Sequence, residues 1–197
     1  MTDYLAAVMK MLGPAENRYA DPAAWDRLHA ELGIRLPSDF RAVVDAFAPV
    51  MINGHLYLDH PATERWNLGE GIRGGIEAWS GLSWDDFHVE GDPLQLFGLA
   101  ELSFGTRDGL WPIVGSDRGE NVFLAGADDD PRFLVNFDET WAEYRMSFAE
   151  WLYRYLIGED MTGPNSAVFY PGPVKMEYLP MSVEDRPEPW YGPDRGM

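Results

Sequence analysis

The sequence predicts an α+β fold: a single domain with a twisted, mostly antiparallel sheet packed by N-terminal helices and a closing helix, plus a Pro-rich C-terminal tail. Two observations carry this. Apolar residues recur at helical spacing near both ends of residues 1–158, and residues 110–137 break into short apolar runs separated by turn chemistry. Helices followed by strands and then a helix place the helices on one side of an antiparallel sheet. A domain over residues 1–158 and a Pro- and aromatic-rich extension over 159–197 are expected.

Leu5, Val8, Met9 and Leu12 share one helix face, and Gly13-Pro14 stops the pattern. A second helix is punctuated by Asp21 as cap, Pro22 at the first position, Trp25, Leu28 and Leu32 on one face, and Gly33 as exit. Pro37 opens a third, striped by Phe40, Val43, Val44 and Phe47 and ended by Pro49; the short connection predicts a helix hairpin. Leu56 and Leu58 alternate with His55 and Tyr57, the pattern of a half-buried strand. Leu68, Ile72, Ile76 and Trp79 have helical spacing, but Gly69, Gly71, Gly74 and Gly75 each cost about 1 kcal/mol relative to Ala, so a weak or broken helix is expected.

Within 110–137, Trp111 to Val114, Val122 to Leu124 and Phe133 to Val135 read as an antiparallel meander. Pro112 lacks an amide donor, which predicts an edge strand or a strand beginning there. Ser147 and Glu150 form a capping box before Phe148, Trp151, Leu152 and Tyr155, and Gly158 ends this helix. Beyond it, seven prolines from Pro164 to Pro193 argue against regular structure, yet Phe169, Tyr170, Tyr178, Trp190 and Tyr191 are more than a linker needs. Those aromatics lie across the domain or are ordered by a partner.

The chain has no Cys, which excludes disulfides, thiolate metal sites and cysteine nucleophiles. The first twelve residues carry Asp3 and Lys10 where a secretory signal needs a basic start and an unbroken apolar stretch, and no apolar run is long enough to span a bilayer; the expected location is the cytoplasm. A formal net charge of −18 repels phosphate backbones and anionic membranes, so neither nucleic acid nor membrane is an expected partner. That charge serves solubility alone or suits a basic protein partner.

Gly69-Glu70-Gly71-Ile72-Arg73-Gly74 matches the spacing of the dinucleotide fingerprint, but no buried strand precedes it. His55, Asp59 and His60 are close in sequence without metal-ligand spacing, and read as solvated or hydrogen-bonded polar residues. The run Asp128 to Asp130 lacks the alternation and closing Glu of a calcium loop. No nucleophile elbow, Ser-x-x-Lys pair or zincin helix is present, so no catalytic residue, metal or cofactor is expected; an active site assembled from distant residues is the alternative.

Three stretches together resemble the SUKH superfamily, the Smi/Knr-type domain of bacterial immunity proteins and some fungal regulators. Residues 25–40 carry Trp25, Glu31, Leu32-Gly33, Leu36-Pro37 and Phe40, similar to the family's opening helix and exit. Residues 111–123 pair an apolar-Pro start with Asp117, Gly119 and Asn121 before the next strand, and Ser147-Phe148 with Trp151-Leu152 resembles the closing helix. The similarity covers residues 21–157; residues 61–101 are longer and richer in Gly than the family pattern, and the tail has no counterpart in it. The resemblance implies an α+β fold without cofactor or catalytic residues and, in bacteria, neutralisation of a polymorphic toxin by tight binding. An acidic immunity-type protein fits a basic toxin, one acting on nucleic acid being the natural case; an adaptor in a larger assembly, docking through its tail, is the alternative. The expected partner-binding residues are Asp85, Asp86, Glu90 and Asp92, an acidic stretch with no Lys or Arg among them, together with Asp128, Asp129 and Asp130.

Overall fold

The computed structural model describes residues 2–126 and 131–194. Six helices surround one eight-stranded sheet: α1 Tyr4–Leu12, α2 Pro22–Leu32, α3 Ser38–Phe47, β1 Val50–Ile52, β2 Leu56–Leu58, α4 Leu68–Trp79, α5 Pro93–Phe97, β3 Trp111–Ser116, β4 Asn121–Ala125, β5 Arg132–Phe137, β6 Thr140–Tyr144, α6 Phe148–Leu156, β7 Lys175–Tyr178 and β8 Trp190–Tyr191. The strand order is β6-β5-β4-β3-β2-β1-β7-β8, antiparallel throughout. Strands β3 to β6 step outward from β2, and α6 carries the chain back so that β7 pairs with β1.

The caps follow the local chemistry. Asp21 accepts the Ala23 amide, Pro22 holds the first position of α2, and Gly33 closes the helix at φ 75°, returning its N–H to the His29 carbonyl. Ser147 accepts the Glu150 amide at 3.1 Å, but the box is only half made: the Glu150 carboxylate pairs with Arg154 at 2.7 Å, and Asp39 of α3 accepts the Ala149 amide at 2.7 Å instead. Helix α2 meets α3 through Trp25, whose ring packs edge-on against Phe40, whereas the helix packing of α3 is with α6 and α1. The short connection therefore does not make a flush hairpin.

Alternation along β4 and β5 splits the core between two faces. Val122, Leu124, Phe133 and Val135 join the main core with Phe40, Phe47, Phe148 and Trp151, while Phe123, Ala125 and Leu134 face a second core with Phe97, Phe104 and Trp141. Ile76 and Trp79 of α4 pack on this second core, so the helices are not confined to one side of the sheet. Nor is α4 broken. Asn67 caps it by accepting the Glu70 amide, and its glycines pay for close approach: an added Cβ at Gly69 would come within 3.0 Å of Leu28, and one at Gly75 within 2.7 Å of the Pro112 ring. The fingerprint-like glycines thus lie inside the helix, where Gly69 allows close packing and Gly74 faces open space.

Pro112 is neither on an edge strand nor the first residue of its strand. Strand β3 is central, but β2 reaches only Gly115 and Ser116, so Pro112 lies beyond the end of β2, next to a register shift on the β4 side. Its missing N–H therefore costs no bond to β2. The segment from residue 159 also departs from expectation. It supplies β7 and β8, buries Val174 and Met176 in the main core, and packs Trp190 against Gly13, where an added Cβ would collide with the indole. Among the described residues no helix is long and apolar enough to cross a membrane.

Candidate protein-binding face

After α4 the chain crosses the second face of the sheet as a single 3₁₀ turn, Trp84–Asp86, followed by α5. Its aromatic residues explain why so polar a stretch is held. Trp79 packs edge-on against Phe123 with centroids 5.0 Å apart, Trp84 and Phe87 each lie against Trp141 at 5.6 and 5.3 Å, and Trp84 stacks on Phe97 at 5.4 Å. Three polar ties add direction. The Trp84 indole N–H donates to the Leu99 carbonyl at 3.1 Å, the His88 amide donates to the Glu139 carbonyl at 2.8 Å, and Arg132 reaches from β5 to the Phe97 carbonyl while pairing with Glu143 at 2.6 Å.

The outer side of this segment is both apolar and acidic. Of five large hydrophobic side chains exposed among the described residues, two stand on α5: Leu94 at 53% and Leu96 at 44% exposure. From residue 74 to residue 106 there are six acids and neither Lys nor Arg. Asp85, Asp86, Glu90 and Asp92 are all exposed here, as a face of this kind requires. Two of them also have local duties: Asp86 accepts the Ser83 amide and hydroxyl at 2.8 and 3.1 Å, and Asp92 caps α5 by accepting the Leu94 amide at 3.0 Å. Glu90 lies 3.6 Å from the exposed His88.

Asp128, Asp129 and Asp130 lie outside the described residues. Gly126, just before them, lines the same cleft of about 670 Å³ as Gly98 and Leu99, which follow α5. Arg35, Arg107 and Arg132 line this cleft too, together with Asp108.

Two buried polar centres were not legible in the sequence. His55 takes the hydrogen-bonded and not the solvated alternative: it is fully buried between the Tyr155 hydroxyl at 3.1 Å and the Glu120 carboxylate at 3.4 Å, with Tyr170 stacked on its ring at 4.0 Å and 6°. Burial lowers the His55 pKa against the pull of Glu120 and Asp117. Burial works to raise the Glu120 carboxyl, yet hydrogen bonds from Ser116, its own amide and His55 hold it below the usual carboxylate range. Tyr170 donates to Asp117 at 2.8 Å, which ties the tail to the β3–β4 turn and closes over the histidine. The partners of His55 come from positions 65 to 115 residues away, so no local signal could have announced them.

His60 is equally buried. Its Nδ1 accepts the Ala62 amide at 3.0 Å, which places the proton of the neutral ring on Nε2, 3.3 Å from Asp45. Asp45 also accepts the Trp25 indole N–H at 2.8 Å. Burial again lowers the histidine pKa, with Asp45 opposing. Among the described residues no group of three or more His, Asp or Glu side chains is arranged to hold a metal ion. Comparison of the chain with protein-family models, with curated proteins and with solved structures returns no match.

Proposed function

We propose that this chain is a non-enzymatic protein-binding module of the immunity type, which occupies a basic toxin through the acidic and leucine-bearing face of residues 83–101. The observation that carries the reading is the pairing of two exposed leucines with a run of acids, on a segment pinned to an aromatic core. An exposed apolar contact supplies desolvation area, the acids supply long-range attraction and register for a cationic surface, and pinning reduces the ordering entropy lost on binding. The net charge of −18 and the resemblance of residues 21–157 to the SUKH superfamily support the same reading. The tail favours it over the adaptor alternative, because β7 is committed to β1 and Tyr170 to His55.

The test is affinity capture from the native host, using wild type, Leu94→Ser/Leu96→Ser and Asp85→Lys/Glu90→Lys. The last variant spares the capping acids Asp86 and Asp92. A basic protein identified by mass spectrometry should be held by wild type and lost from both variants, its association should slow steeply as salt is added, and its toxic activity should be inhibited by the wild-type chain. Equal capture by all three proteins would remove the face from consideration, and capture without inhibition would remove the immunity role.

A further inference from the structure

We propose that the cavity between α4 and the sheet is a binding site for a cationic nitrogen on a short apolar stem, with Asp59 as its counter-charge and Tyr57 and Trp66 as its aromatic wall. The cavity holds about 270 Å³, room for a side-chain-sized group, and Ile72, Pro112 and Val114 contribute its apolar lining. Asp59 lines it just after β2, and its Oδ1 is buried with no hydrogen-bond partner among the described residues. An unmatched carboxylate oxygen in apolar surroundings opposes folding unless something compensates it. Burial pushes this carboxyl up to about 6, which still leaves it ionised at neutral pH.

The helix also gives way at this point. Gly71 stands at the rim, where an added Cβ would lie 3.1 Å from Asp59 Oδ2, so α4 forgoes a better helix former beside the carboxylate. Tyr57 and Trp66 lie parallel, with centroids 6.2 Å apart and planes within 2°. Trp66 is held by its indole N–H donating to the Pro180 carbonyl at 3.1 Å and takes a left-handed backbone, φ 56°, a conformation that bulky residues rarely adopt. A carboxylate beside aromatic faces is the chemistry that selects an alkylammonium or guanidinium group. The source is a Lys or Arg side chain of a partner or a free small amine. The inference does not rest on the acidic face described above.

The experiment follows the Trp66 indole N–H signal by NMR at pH 7.5, assigned with Trp66→Phe, while n-butylammonium, n-butylguanidinium and neutral n-butanol are titrated into the full chain. The two cations should shift it saturably and n-butanol should not, while Asp59→Asn should weaken the cations roughly tenfold or more and melt no lower than wild type. Gly71→Ala, which crowds the carboxylate, should also weaken them. No saturable shift, an equal response to n-butanol, or an unchanged response in Asp59→Asn would overturn the proposal. Capped Gly-Lys-Gly and Gly-Arg-Gly peptides then separate the sources: binding as strong as the free cations assigns the site to a partner side chain, and binding of the free cations alone assigns it to a small amine.

Discussion

Single residues differ in what their loss should cost according to what else can take over their work. Trp151 is fully buried beside Phe148 and Tyr155, so Trp151→Ala should destabilise by about 3 to 5 kcal/mol through lost contacts and a residual cavity. Ser147→Ala should cost only about 1 kcal/mol, because Asp39 still accepts the neighbouring Ala149 amide. Chemical denaturation of the two variants checks the ordering; similar losses would mean that Trp151 is poorly packed or that Ser147 does more than cap. The core role of Trp151 was readable from its spacing, as was the Ser147 cap. The diversion of Glu150 to Arg154 was not, because both geometries are open to a Glu at that position.

At the scale of elements, α4 shows why glycine count alone misjudges a helix. Gly74 faces open space, whereas Gly75 abuts the Pro112 ring. Gly74→Ala should therefore stabilise by up to about 1 kcal/mol, while Gly75→Ala should destabilise despite the same gain in helix propensity. Thermal melts of the pair decide it, and two stabilised variants would show that α4 does not press on β3 as described. The tail makes the complementary point. Truncation after Glu159 removes β7 from β1, Val174 and Met176 from the core and Tyr170 from His55, so the shortened chain should lose most of its stability. Circular dichroism melts that match the full chain would contradict this. Seven prolines hid two strands because pairing needs only the few residues between them.

For the whole molecule, buried titratable groups pull in opposite directions. Asp59 is raised from its ordinary 3.8 to about 6, so the native state keeps a proton that the unfolded chain has released, and this contribution is lost as pH rises between those values. His55 and His60 are lowered from 6.5, and Glu120 from 4.5, so their contributions are lost as pH falls. Asp59→Asn should accordingly be more stable than wild type at pH 7, by at most about 3 kcal/mol, with the gap closing toward pH 4. Denaturation of both proteins across that range checks it, and a gap that does not change with pH would show that Asp59 titrates normally. Readable from the chain alone were the α+β class, the caps of α2, the meander of β3 to β5 and the acidic stretch around Asp85 to Asp92, since each depends on residues adjacent in sequence or one helical turn apart. Decided only by folding were the placement of helices on both faces of the sheet, the exposure of Leu94 and Leu96 among those acids, and the burial of His55 and of the Asp59 Oδ1. Burial is set by which surfaces meet in the fold, and those meetings join positions more than a hundred residues apart, as Val50 with Tyr178 and Gly13 with Trp190, beyond the reach of any local pattern.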